Sequence, residues 1–242
     1  MLTFFRRIRQ SLIRSDQTRK YILYAIGEVL LVMIGILLAL QVNNWNEWRK
    51  DRVIEKEALI DIVFDIERNI NFLERVIEQL ELENKSCDII LNVIENKLPY
   101  KDSLNYHFWK SRFVFGRSNQ MASSGFESLK DNGINLIVNK SVRDEILNLF
   151  ESTYSFLKMF DTLFAQYNPL AEEVILELFY QEGQSEIPFQ HEQLFTNNRY
   201  YALLKSLRQK RIGISDISRT SLTESERVLQ LIKEELGETR AE

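Results

Sequence analysis

The sequence predicts an all-α protein: one N-terminal transmembrane helix followed by an elongated antiparallel helical bundle. Three prolines and eight glycines in 242 residues are too few for a sandwich or barrel, which needs a turn about every ten residues. A run of twenty residues near the N-terminus, Tyr21 to Leu40, reads YILYAIGEVLLVMIGILLAL, with Glu28 as its only charge. Behind it, apolar residues recur at steps of four and three, the helical period. With 45% hydrophobic and 11% aromatic content, the chain has enough apolar side chains for a packed core, and wholesale disorder is excluded.

Residues 1–20 read as a basic, amphipathic cytoplasmic tail. Arg6, Arg7, Arg9, Arg14, Arg19 and Lys20 stand against Asp16, so this stretch carries +5 and the remainder −9 of the net −4. Leu2, Phe5, Ile8 and Leu12 recur between the arginines at helical spacing, either as a helix lying on an anionic leaflet or as a plain basic flank. A negative main domain argues against nucleic acid as a partner, because affinity for phosphates comes from clustered Lys and Arg.

Residues 21–42 read as the transmembrane helix, since twenty helical residues span about 30 Å of hydrocarbon. A soluble helix usually keeps a polar face, whereas Val29 to Leu40 is apolar on every side. The flank QVNNWNEWRK places bulky residues where a signal-peptide cleavage site needs small ones, so the segment is expected to stay attached. Tyr21 and Tyr24 on one side and Trp45 and Trp48 on the other frame the span as interfacial aromatics. Six basic residues precede it and Arg49, Lys50, Arg52 and Lys56 follow. This bias predicts a cytoplasmic N-terminus and a bacterial inner-membrane, single-pass location.

Residues 43–242 then form the helical extracytoplasmic domain. A row through Leu59, Val63, Ile66, Ile70, Leu73, Ile77, Leu80, Asn84, Cys87, Leu91, Ile94 and Leu98 marks a long helix. Additional apolar residues at Ile62, Val76, Ile90 and Val93 widen its face and favour an intramolecular bundle over a coiled coil. Pro99 ends the pattern, and the stretch to Arg117 yields no assignment. Asp131-Asn132-Gly133 reads as a helix end, and Ser141 with Asp144 as a capping box opening a helix toward Asn168. Asn168-Pro169 reads as an N-cap with proline at the first helical position, the helix ending near Gly183 before a loop to His191. A last helix, Asn198 to about Leu236, presents Leu203, Leu207, Ile214, Ile217, Ser221, Val228 and Leu231 on one face, weakened at Gly213. It matches the first soluble helix in length, so the two are expected to pack antiparallel.

The segment KYILYAIGEVLLVMIGILLALQVNNWNEWRK, with the preceding FFRRIRQSL, resembles the N-terminal signature of bacterial domain-of-unknown-function family 6090. SSGFESLKDNGINLIVNKSVRDEILNLFE resembles its middle region. The resemblance implies single-pass membrane proteins, frequent in the Bacteroidota, with a helical exported domain and no catalytic residues to carry over.

A search for chemistry finds little. His107 and His191 are expected in separate loops without partner ligands, and the single Cys87 forms no internal disulfide. No phosphate loop, nucleophile elbow or metalloprotease motif is present, so no enzyme, cofactor or metal is expected. Glu172, Glu173 and Glu177 read as a solvated face. Met121-Ala-Ser-Ser-Gly125 reads foremost as core packing, with a small-residue helix contact or a ligand site as the alternatives. Counting 100° per residue from Glu28 brings Tyr21, Val32, Gly35 and Ala39 within about 40° of it. This is a candidate membrane-helix interaction face, with an acid costing on the order of 3 kcal/mol if ionised at mid-bilayer. The expected partners are the lipid bilayer and either a second copy or a membrane or periplasmic protein. Three roles fit: a membrane-anchored interaction or scaffold protein, an extracytoplasmic sensor or ligand-binding module acting through a partner, and an ion-coupled oligomer using Glu28.

Overall fold

The computed structural model describes residues 18–112 and 116–237. In chain order these form α1 (Thr18–Glu95), α2 (Leu104–Lys110), a 3-10 turn (Ser118–Gln120), α3 (Ser124–Asn132), a second 3-10 turn (Ile134–Leu136) and α4 (Lys140–Leu147). They continue through a π-helical segment (Asn148–Tyr154), α5 (Ser155–Ala165), α6 (Asn168–Leu178), strands β1 (Phe179–Glu182) and β2 (Ser185–Pro188), α7 (His191–Leu194) and α8 (Asn198–Leu236). The fold is therefore mostly α, as predicted. The expected tail features at Leu2, Phe5, Ile8 and Leu12 lie outside the described residues.

The chain divides into two units, residues 1–54 and 55–242. In the first, the described residues are helical throughout, and every large aliphatic side chain from Ile22 to Val42 is exposed, Leu31 at 73%. This helix is long and apolar enough to cross a membrane. Trp45 and Trp48 are exposed beyond it. There Asn43 donates to Glu47 at 2.9 Å, and Arg52 lies over the Trp48 ring.

In the second unit, α8 runs antiparallel to α1. Glu95 pairs with Lys205, Asp88 with Arg208, Glu81 with Arg219 and Glu67 with Lys233, so one sequence rises as the other falls. These are exposed pairs worth little individually. The core between the helices supplies the burial, with Leu59, Ile66, Leu73, Leu80 and Cys87 all at or below 2% exposure. Those five positions confirm every second residue of the predicted row. Of the intervening ones, Leu91 is buried, Val63 and Ile70 are half-buried against the core, and Ile77 and Asn84 are half-buried. The widening residues Ile62, Ile90 and Val93 are buried as expected, and Asn69 and Glu83 join them in the seam. Asn69 and Glu83 can be buried because Ala122 and Arg117 supply their partners, an outcome that an apolar pattern does not encode.

The short elements pack against this pair. Asp65 accepts from the Gly125 and Phe126 amides at 2.7 and 3.3 Å, satisfying free N–H groups in the first turn of α3. Asn69 brackets Ala122, donating to its carbonyl and accepting from its amide. A Cβ at Gly125 would stand 2.7 Å from the Asp61 backbone, so this residue packs directly on α1, while Met121 is buried in the core. Gly133, at φ 102°, ends α3 as expected.

Several boundaries differ from the sequence reading. Asn139, rather than Ser141, caps α4 by accepting from the Ser141 amide at 3.1 Å. The helix expected from Ser141 to Asn168 is interrupted by the π-helical segment. α6 begins one residue earlier than expected, with Tyr167 at the cap, and stops at Leu178. In place of the loop stands a hairpin pairing Phe179 with Pro188 and Glu182 with Ser185. Its turn uses Gly183 at φ 60°, the left-handed geometry that glycine tolerates. α8 passes through Gly213 without a break.

Candidate functional site

Two constellations carry the chemistry, one in each unit. The first is the predicted membrane-helix face. Val32, Gly35 and Ala39 are exposed and Glu28 is half-buried, while the Tyr21 side chain lies outside the described residues. A Cβ at Gly35 would meet nothing within 4 Å, so the backbone there is open to close approach.

The second constellation, missed by sequence reasoning, is a charged centre inside the bundle. Glu83 on α1 accepts from Arg117 Nη2 at 2.8 Å and stands 3.2 Å from Arg211 Nε on α8. Arg211 is fully buried; its Nη2 donates to the Ser111 carbonyl at 2.6 Å and its Nη1 to Cys87 Sγ at 3.7 Å. Close by, Asp161 on α5 accepts from the Gly116 and Ser118 amides at 2.8 and 2.7 Å. Two carboxylates and two guanidiniums thus balance in charge, which a low-dielectric interior requires. A cavity of about 10 Å³ lies beside them, lined in part by Arg117, Ser118, Asp161 and Ser218. That volume is about the size of one water molecule. The sequence signal was faint: Glu83 and Arg211 each sit one step from apolar residues of their helix's buried face.

Farther along α8, Ser215, Ser218, Ser221 and Ser225 are all buried. Tyr154, the last residue of the π-helical segment, bonds Ser225 at 2.7 Å. Burial pushes the Tyr154 phenol up to about 12, so it remains a neutral donor or acceptor. An open cleft of about 340 Å³ lies over this region, between Ser152, Thr153 and Phe156 on one side and Ile217, Thr220 and Ser221 on the other.

Other titratable groups pair within the fold. Arg112 joins Glu172 on α6 at 2.8 Å to Glu186 on β2 at 3.0 Å, tying the hairpin down. Burial lifts the Glu186 carboxyl above its ordinary range, although Arg112 opposes the shift. Glu173 and Glu177 pair with Arg199, so the three glutamates expected on a solvated face all hold arginines. His107 lies within α2, not in a loop, with Nδ1 3.1 Å from Ser86 Oγ. Burial, with a smaller contribution from Lys85, lowers its pKa. His191 opens α7 and stacks on Tyr100 at 4.3 Å. Burial raises the Cys87 thiol pKa, with Arg211 opposing, and a protonated, enclosed thiol is a poor nucleophile. Among the described residues, no group of three His, Cys, Asp or Glu side chains is placed to hold a metal ion.

Compared with known families, characterised proteins and solved structures, the chain matches none.

Proposed function

We propose that this is a membrane-anchored interaction or scaffold protein. Residues 21–42 cross the bacterial inner membrane once, the N-terminus is cytoplasmic, and the helical domain stands outside. The observation that carries the reading is the exposure of every large aliphatic side chain from Ile22 to Val42. In water such a surface is far larger than soluble proteins leave uncovered, whereas hydrocarbon solvates it and the helix satisfies its own backbone. A soluble core helix would be covered, and this one is not.

Carbonate-washed membranes should retain the full chain, and protease added to spheroplasts should digest the domain after Arg52. Release into the wash would remove the anchor, and protection in spheroplasts with digestion only after lysis would reverse the topology. Within the membrane, Glu28, Val32, Gly35 and Ala39 form the self-association face, where small residues allow close approach and a polar side chain adds roughly 1 kcal/mol. In a membrane two-hybrid assay on residues 1–50, Gly35→Ile should weaken association. Unchanged association in that variant would discard this face.

A further inference from the structure

We propose that the cleft between α1 and the Ser118–Gln120 turn is an anion site, in which Arg68 and Arg75 hold a phosphate- or carboxylate-bearing ligand. Seven residues apart on one helix, the two arginines project within about 20° of each other and stand about 10 Å apart along the axis. Both are exposed. With Asn69, Asn71, Phe72, Gln120 and Ala122 they line an open cleft of about 420 Å³. That volume falls in the range of small-molecule sites.

Charge selects the ligand. Elsewhere on the bundle, exposed arginines hold carboxylates: Arg199 takes Glu173 and Glu177, Arg219 takes Glu81, and Arg227 takes Glu145. Among the described residues Arg68 makes no hydrogen bond or ion pair, and Arg75 uses only its Nε, donating to the Asn71 carbonyl at 3.0 Å. One whole guanidinium and both Nη groups of another therefore face a cleft whose lining contains no carboxylate. Glu67, Glu74 and Glu78 are near in sequence, but none lines the cleft, and Lys233 already holds Glu67 at 2.8 Å. A planar guanidinium presents paired N–H donors that match two oxygens of a carboxylate or phosphate. An oxyanion completes this wall as the glutamates complete the others.

The facing turn is fixed in place. Asn69, 1% exposed, donates to the Ala122 carbonyl at 2.9 Å and accepts from its amide at 2.7 Å. Arg117, one residue before the turn, is held by Glu83. These bonds seat the turn on α1 and keep Gln120 at the cleft, where its side-chain amide is a further donor. Asn71 commits its amide nitrogen to the Glu67 carbonyl, leaving its side-chain oxygen to accept from a ligand hydroxyl. Recruitment to a lipid surface uses clusters of about 4–8 Lys and Arg, so two arginines in a concave cleft favour a soluble anion. The site belongs to the bundle alone and stands or falls apart from the membrane anchor.

The test titrates the full chain, in mild detergent, with inorganic pyrophosphate and follows broadening of the phosphorus NMR resonance. Saturable broadening is expected, with the apparent Kd raised at least about tenfold, or about 1.4 kcal/mol, in Arg68→Gln/Arg75→Gln. Both arginines are exposed, so this double variant should keep the parent's circular-dichroism spectrum. Arg219→Gln removes a surface charge outside the cleft and should bind as the parent does. No saturable broadening with the parent, unchanged affinity in the double variant, or an equal loss in Arg219→Gln overturns the site. Repeating the titration with phosphatidylglycerol added to the micelles identifies the source of the anion. Unchanged affinity assigns a soluble ligand, and competition assigns a lipid headgroup held by the same arginines.

Discussion

Between Ile22 and Val42 the helix exposes all of its large aliphatic side chains, whereas the bundle from Glu55 onward encloses Asp65, Glu83, Asp161 and Arg211. The first departs from the rule that apolar groups go inside, the second keeps an apolar core but admits charges to it, and each departure has its own compensation. In the first, an α-helix leaves no interior backbone group unpaired, so apolar side chains can face hydrocarbon at no cost. In the second, every carboxylate named is met by amide or guanidinium donors. Exposure by itself therefore does not define surface or core. The groups that surround a side chain define it.

The largest test strikes the buried centre. Arg211→Met removes one of the two cations facing Glu83, and breaking a buried pair costs about 3–5 kcal/mol. Urea unfolding of the full chain in mild detergent, followed by circular dichroism, should show that loss. Glu83→Met combined with Arg211→Met should lose less, because no buried carboxylate is then left short of a partner. A double variant less stable than the single one would contradict this account of the centre.

Charge placed in the apolar segment should act on partitioning rather than folding. Leu31→Arg costs about 3 kcal/mol of insertion at the middle of a span, so more of the chain should appear in the carbonate wash. The unfolding midpoint of the bundle should stay within about 0.5 kcal/mol of the parent. Loss of bundle stability in Leu31→Arg would show that the apolar segment is packed against protein.

Two glycines sharpen the contrast at smaller scale. Gly125→Ala forces a methyl against the Asp61 backbone and should cost about 1–3 kcal/mol. Gly35→Ala meets nothing and should leave the unfolding midpoint unchanged. Equal effects in the two variants would erase the distinction between packed and open helix surfaces.

The smallest expected effect is a pH dependence at the hairpin. Because burial raises the folded-state pKa of Glu186, the folded chain takes up this proton at higher pH than the unfolded chain does. Its contribution therefore favours the fold as pH falls through that raised value, and it is lost as pH rises above it. Stability of the parent and of Glu186→Gln, compared from pH 7 down to about 4.3, the ordinary carboxylate value, should differ in slope with that sign. Parallel profiles would mean that Arg112 fully offsets the burial.

The helical class, the apolar span, the antiparallel long helices, the Gly133 helix end and the packing at Met121 and Gly125 were legible in the sequence. Each rests on local pattern or on residue size. The hairpin was not, because each strand is only four residues long: Phe179–Glu182 reads as the end of the preceding helix and Ser185–Pro188 as part of a loop. The Asn139 cap was missed because Ser141 and Asp144 satisfy the capping-box pattern equally well on paper. Asn69 and Glu83 were left out of the predicted row, since a stripe drawn from hydrophobicity prefers apolar residues. Sequence by itself thus determined which segments are helical and which stretch suits hydrocarbon, because propensity and hydropathy are properties of neighbouring residues. Only the tertiary structure decided which polar residues go inside. Burying Glu83 depends on Arg117, 34 residues away, and on Arg211 in another helix, and the free energy of a buried charge is set by partners that chain order does not place beside it.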